Sequence, residues 1–512
     1  MNKKKAYSIT RREAITLAGG FATYGLLSAC STEQEPAMPE TMDRRPFHYA
    51  SLSEIAALLE TGEISPVELT EWMLERIAEV DDELKSYATV TADRALNAAR
   101  QAEQEILAGQ YRGKLHGIPI AVKDLCFTKG VKTMGGMGVL KDFVPDYDAT
   151  VISRLESAGA VLLGKLNLTE GAMLGYHPDF DIPVNPWNAD YWAGASSSGS
   201  GVATAAGLCF ASLGSDTGGS IRYPSMANGI VGLKPTYGRV SRYGVLPLSE
   251  TLDHVGPMAR RSVDAAIMFE AIAGHDVNDA TSLQDPVPDM LADLYAGIDG
   301  LRIGFDRPYA TEGTDSALVA SIDQVIGTLA SLGAVIVDVT MPDYPPEFFL
   351  QTWAPVCRYE AYRAHAATFP SRADEYGHFL REFLEAGATV TDEEYLAANK
   401  RREKFNRQFE DVLGSVDAIV TPAGGVTIPI EAKSLYGSGA DFGAALGAMQ
   451  RQFIIPADFA GTPTLTLSCG FSDAGMPHGV QFMGEKLSEP LLCRVGHAYE
   501  SATEWHQHHP AI

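Results

Sequence analysis

Gly117-Ile118-Pro119-Ile120-Ala121-Val122-Lys123-Asp124 is a short apolar run opened by turn residues and ended by charge. A run of this length and composition reads as a buried β-strand. On its N-terminal side, Ser65-Pro66-Val67-Glu68 has the form of a capping box with proline at the first helical position. Leu69, Trp72, Met73, Ile77 and Val80 then recur at the spacing of one helix face. Ala92 to Leu107 is a second helical run, ended near Gly109. On the C-terminal side, Asp148 to Ala158 reads as helix and Ala160 to Leu163 as a strand closed by Gly164. Farther on, Leu301–Phe305 and Ala334–Val339 read as strands around a helix over Ala317–Leu332. Ala418–Val420 and Thr464–Leu467 add two more buried strands. Apolar strands alternating with helices predict an α/β fold whose large mixed, mostly parallel sheet is covered by helices on both faces.

The chain has 512 residues, enough to bury a large core, with 46% hydrophobic and 21% charged residues. Asp plus Glu is 65 against 40 Lys plus Arg, a net charge of −25. That balance argues against a nucleic-acid partner, which requires positive potential facing phosphates. Six cysteines are too few for a disulfide scaffold. Cys126, Cys209, Cys357, Cys469 and Cys493 lie in apolar contexts without a Cys-x-x-Cys pair and read as free buried thiols.

The first residues read as an address. Lys3, Lys4, Lys5, Arg11 and Arg12 precede a weakly apolar stretch from Ala14 to Ala29, the layout of an export signal. The paired arginines resemble a twin-arginine signal, and Leu27-Ser28-Ala29-Cys30 resembles a bacterial lipobox. The expected organisation is an export signal over 1–29, lipidation on Cys30, a flexible tether over 30–46 and one domain over 47–512. Such a protein would be periplasmic and would meet the membrane only through its lipid anchor.

The chemistry concentrates between Lys123 and Arg222. Gly194-Ala195-Ser196-Ser197-Ser198-Gly199-Ser200-Gly201 is followed by Asp216-Thr217-Gly218-Gly219-Ser220-Ile221-Arg222. Glycines before a serine allow a sharp turn that points several N–H groups into one spot, where an oxyanion can be received. A serine placed there as nucleophile needs a base. His177 and His254 are candidates, and so is Lys123. An ammonium at the end of an apolar strand is expensive to bury, so desolvation would lower its pKa and leave a neutral amine.

Taken together, these stretches resemble the amidase signature family of serine hydrolases. The resemblance continues through Asn185-Pro186-Trp187, Gly229-Ile230-Val231-Gly232-Leu233-Lys234-Pro235-Thr236 and Gly238-Arg239-Val240-Ser241. It reaches Gly461-Thr462-Pro463 and Gly475-Met476-Pro477-His478-Gly479-Val480-Gln481 near the C-terminus. It implies hydrolysis of a small-molecule carboxylic amide through a Ser–cis-Ser–Lys triad. Carried over by position, Lys123 is the base, Ser196 the bridging serine after a cis peptide, and Ser220 the nucleophile. The backbone N–H groups of Thr217, Gly218, Gly219 and Ser220 would form the oxyanion hole. Ser197 would support the relay, while Asp216 and Arg222 would brace the loop. Met134–Leu140 and Tyr176–Phe180 occupy positions that often border the acyl pocket in the family.

The implied chemistry needs neither metal nor cofactor, and the terminal His506, His508 and His509 read as solvated. Ala195 and Ser198 replace glycines usual in the family loop, and Asp458 stands where relatives often carry Asn. The family also contains transamidation proteins that supply ammonia for aminoacyl-tRNA, a role that an export signal and an acidic surface disfavour. A non-catalytic lipoprotein on this fold is disfavoured by retention of all three triad residues.

Overall fold

The computed structural model describes residues 47–512. The leader, Cys30 and the tether lie outside the described residues. Eleven strands form one sheet: β1 (Tyr87–Val90), β2 (Pro119–Lys123), β3 (Val161–Leu166), β4 (Ala211–Asp216), β5 (Val231–Lys234), β6 (His254–Ala259), β7 (Arg302–Phe305), β8 (Val335–Asp338), β9 (Ala418–Pro422), β10 (Thr464–Phe471) and β11 (Pro477–Met483). Their spatial order is β1-β3-β2-β4-β6-β5-β10-β11-β9-β7-β8. Every residue of β2, β3, β4, β5, β6, β9 and β11 is buried, so the central sheet is covered on both faces.

The sheet is mixed, but its parallel share is smaller than expected. Parallel pairing holds for β2 with β3 and β4, and for β7 with β8 and β9. The other six pairings are antiparallel. The tight connection between β10 and β11 permits only an antiparallel return, because a parallel crossover needs a dozen or more residues.

Local signals placed several elements well. Ser65 Oγ accepts from the N–H groups of Val67 and Glu68 and starts the helix Pro66–Leu84. The helix Ala92–Leu107 has the bounds read from the sequence. Gly164, by contrast, does not close β3, which runs on to Leu166. A Cβ at Gly164 would collide with the carbonyl oxygen of Thr89, so this glycine allows β1 to pack against β3.

The five cysteines of the body are free and buried. The terminal histidines are not simply solvated. His509 stacks on Tyr49 with ring centroids 4.1 Å apart, and Tyr49 Oη donates to the Pro510 carbonyl at 3.2 Å. The C-terminal tail thus docks on the start of the described chain.

Candidate active site

Strands β2 and β4 run parallel, with Ala121 opposite Ser212 and Val122 opposite Leu213. Both end at the same edge of the sheet, so Lys123 comes beside Ser215 and Asp216. Carboxyl ends of parallel strands are where open α/β sheets present ligand sites. The serine loop then crosses this edge and enters the helix Ser198–Ala205, all of whose residues are buried.

Lys123 is fully buried. Its Nζ lies 2.7 Å from Ser196 Oγ, 2.8 Å from Ser197 Oγ and 2.9 Å from Ser215 Oγ. Among the described residues no carboxylate forms an ion pair with it. Burial pulls the amine down to about 7, against weaker opposing pulls from Asp216, Cys126 and Asp253. As an ammonium it donates to all three hydroxyls; as a neutral amine it keeps a lone pair for one of them. The Ala195–Ser196 peptide is cis. Ser197 Oγ donates to the Ser215 carbonyl at 3.2 Å, which orients it beside the lysine.

Ser220 is half-buried at the end of the glycine turn. The N–H of Ser197 donates to the Ser220 carbonyl at 3.3 Å, tying the serine loop to the turn. The turn itself is held by Asp216, whose carboxylate accepts from the N–H groups of Gly219 at 2.6 Å and Ile221 at 2.9 Å. This removes Gly219 from the expected oxyanion donors, because its N–H is already committed. Among the described residues, the N–H groups of Thr217, Gly218 and Ser220 have no protein acceptor. Gly219 has φ +106°, and a Cβ there would collide with Ile454 Cγ2. Both facts require glycine.

Asp216 and Arg222 brace the turn from beneath. Arg222 donates to Asp216 from Nε at 3.1 Å and Nη2 at 3.0 Å, and Nη2 also donates to Asp458 Oδ2 at 2.7 Å. Burial alone would raise Asp216, but the Arg222 guanidinium and its hydrogen bonds hold the carboxyl well below the usual range. Burial and the neighbouring Asp216 push the Asp458 carboxyl well above its usual value, against the pull of Arg222 and Lys234. Asp458→Asn is expected to cost under about 1 kcal/mol and Asp216→Asn about 3 kcal/mol, because Asp216 takes two bonds from the buried guanidinium and two from the turn, whereas Asp458 takes one that an amide oxygen can also accept. Urea unfolding midpoints check this; equal costs would overturn it. The Asp216 contribution is present above about pH 4 and is lost as pH falls through its depressed value.

A cavity of about 290 Å³ opens over the turn, with Ala195, Thr217, Gly218 and Ser220 among its lining residues. Its walls come from segments the sequence did not single out. Leu350, Trp353 and Arg358 lie on the helix Pro346–Ala364; Phe379 and Phe383 lie on the helix His378–Ala388. Trp353 Nε1 donates to the Thr217 carbonyl at 2.8 Å, so it also positions the turn. The expected pocket segments sit elsewhere. Met137, Val139 and Leu140 line a cavity of about 180 Å³ that shares Ala172 with the one over Ser220. Tyr176 is buried, and its hydroxyl donates to Ser198 Oγ of the serine loop at 2.7 Å.

Neither histidine is arranged as a base. His254 is buried with Nδ1 2.7 Å from the Leu252 carbonyl, and burial holds it well below its ordinary value. His177 packs beside Gly138 and is not among the residues lining the cavity over Ser220.

Known proteins resemble this chain in sequence and shape. A protein of Mycobacterium tuberculosis named "Putative amidase AmiD" is 43% identical over 481 residues, covering 94% of this chain and all of its own. A glutamyl-tRNA(Gln) amidotransferase subunit from a Synechococcus species is 41% identical over 480 residues, covering 89% of this chain and 97% of its own. The solved peptide amidase of Stenotrophomonas maltophilia superposes with a TM-score of 0.77 at 33% identity, over 90% of this chain and 98% of that one. With the Amidase family model matching residues 68–493 as well, the chain belongs to the amidase family.

Proposed function

We propose that this protein hydrolyses small linear carboxylic amides to a carboxylate and ammonia or an amine, through an acyl-enzyme on Ser220. The observation that carries the reading is a fully buried Lys123 amine 2.7 Å from Ser196 Oγ, with no ion-paired carboxylate among the described residues. Neutral Lys123 accepts the proton of Ser196 as Ser196 takes that of Ser220, and Ser220 Oγ adds to the amide carbonyl. The N–H groups of Thr217, Gly218 and Ser220 receive the oxyanion as the C–O bond forms. The relay then reverses, protonating the departing nitrogen as the C–N bond breaks. A water molecule deprotonated by the same relay cleaves the ester and restores Ser220. No step calls for a metal or cofactor.

The N-terminal signals support export and anchoring through Cys30, with no nucleic-acid partner. Protein from the native host's membrane fraction is expected to begin at acylated Cys30 and to release ammonia from short amides. Mass spectrometry and a panel of amides, esters and carbamates check both halves. The relatives named as parts of an amidotransferase favour a second reading, ammonia supply from glutamine to a partner. Turnover of glutamine alone, with simple amides untouched, would favour it.

A further inference from the structure

We propose that the acyl part of the substrate carries a carboxylate, received by Arg451 and Arg358, so that the preferred substrates are half-amides of dicarboxylic acids. This rests on the amide-hydrolase reading and names the substrate class of that site. Both arginines line the cavity over Ser220, and neither forms an ion pair with a carboxylate among the described residues. Arg451 Nη1 donates to the Leu446 carbonyl at 2.9 Å, which orients the guanidinium and leaves its other nitrogens available. Arg358 lies over the Phe383 ring at 5.6 Å, and its Nε is buried without a hydrogen-bond partner.

Glu382 is the one acid among the lining residues of this cavity, and its Oε1 lies 3.1 Å from His378 Nε2. The cavity therefore holds more positive than negative charge although the chain as a whole carries −25. A half-buried cation without a counter-ion is costly, and a ligand that brings the counter-ion removes that cost. The guanidinium fork matches a planar carboxylate in two parallel hydrogen bonds.

Position agrees with charge. Arg451 opens the helix Arg451–Ala460, whose N-terminal end adds positive potential. Ile454, on the same helix, packs against Gly219 of the nucleophile turn. Arg451 and Ile454 are three positions apart, about 4.5 Å along the axis. Arg451 and Arg358 thus share one cavity with Ser220, and Trp353, Phe379 and Phe383 supply the apolar wall a carbon chain between the two ends would pack against.

The test measures kcat/KM for half-amides of the four- to eight-carbon dicarboxylic acids beside neutral alkyl amides of equal length. The wild type is expected to favour the charged member at least tenfold at one chain length. Arg451→Met should lower that preference at least tenfold, mainly through KM; Arg358→Met should lower it by a smaller factor. Arg451→Lys should keep part of it, because charge survives without the fork. A wild type that turns over neutral amides without preferring the charged ones overturns the proposal, as does a preference that survives in both methionine variants. If no amide of either kind is cleaved, the hydrolase reading fails separately. The anion site is then tested by calorimetric titration of glutarate into Ser220→Ala protein. Binding at least tenfold weaker when Arg451→Met is added supports the site, and equal affinity overturns it.

Discussion

Ser220→Ala is expected to abolish amide hydrolysis, a loss of about 10⁴-fold or more in kcat, while leaving the fold intact. The size of the loss follows from the role, since without the hydroxyl no acyl-enzyme forms and the relay has nothing to deprotonate. Structural tolerance follows from the contacts. The turn is held through main-chain groups, with Gly219 and Ile221 N–H on Asp216 and the Ser220 carbonyl accepting from Ser197. The half-buried side chain bears none of these bonds, so its removal should change stability by under about 0.5 kcal/mol. A serine-directed fluorophosphonate should label wild type at Ser220 and leave the variant unlabelled. An adduct on Ser196 alone, or activity kept in the variant, would place the nucleophile elsewhere.

Lys123→Ala is expected to remove most turnover, and Lys123→Arg to be no better, because a guanidinium does not deprotonate in this range. The wild-type pH profile should carry the signature of the amine. A solvated lysine titrates near about 10.4 and would be a protonated, useless base at neutral pH. Burial brings Lys123 to about 7. The base form is the neutral one, so kcat/KM should rise as pH increases, about tenfold per unit below the midpoint, and level off above it. His177→Ala should keep that acidic limb, since His177 lines no part of the reactive cavity. His254 is held well below its ordinary value and cannot supply a limb near neutrality. Loss of the limb in His177→Ala with near-normal rates in Lys123→Ala would overturn the Ser–Ser–Lys relay.

The lysine also shows where sequence reading stops. An apolar strand ended by lysine was the signal at Lys123, yet Lys165 and Lys234 are buried in comparable settings. Lys165 Nζ lies 3.1 Å from Asp124 Oδ1 and donates to the Cys126 carbonyl, which makes it a structural cation. Lys234 Nζ donates to the Pro235 carbonyl and is brought down to about 8 by burial, with no serine hydroxyl bonded to it. Only Lys123 of these three meets a cluster of hydroxyls. The family motifs singled it out; composition and strand position alone did not.

What the sequence determined by itself were features whose physics is local. Capping at Ser65, the helix Ala92–Leu107, the core of β2 and the glycine–serine turn depend on neighbours a few residues away. The motif order carried the family, and with it the mixed α/β sheet. Tertiary structure decided what depends on distant partners. It ran β3 through Gly164 because Thr89 approaches from another strand, and it took Gly219 N–H out of the donor set through Asp216. It also drew the cavity walls from helices that begin at Pro346, His378 and Arg451, far along the chain from Ser220. Their lining residues carry no catalytic motif and are spaced as ordinary helix faces. Which face meets the glycine–serine turn is set by packing across the whole domain, and no local pattern encodes it.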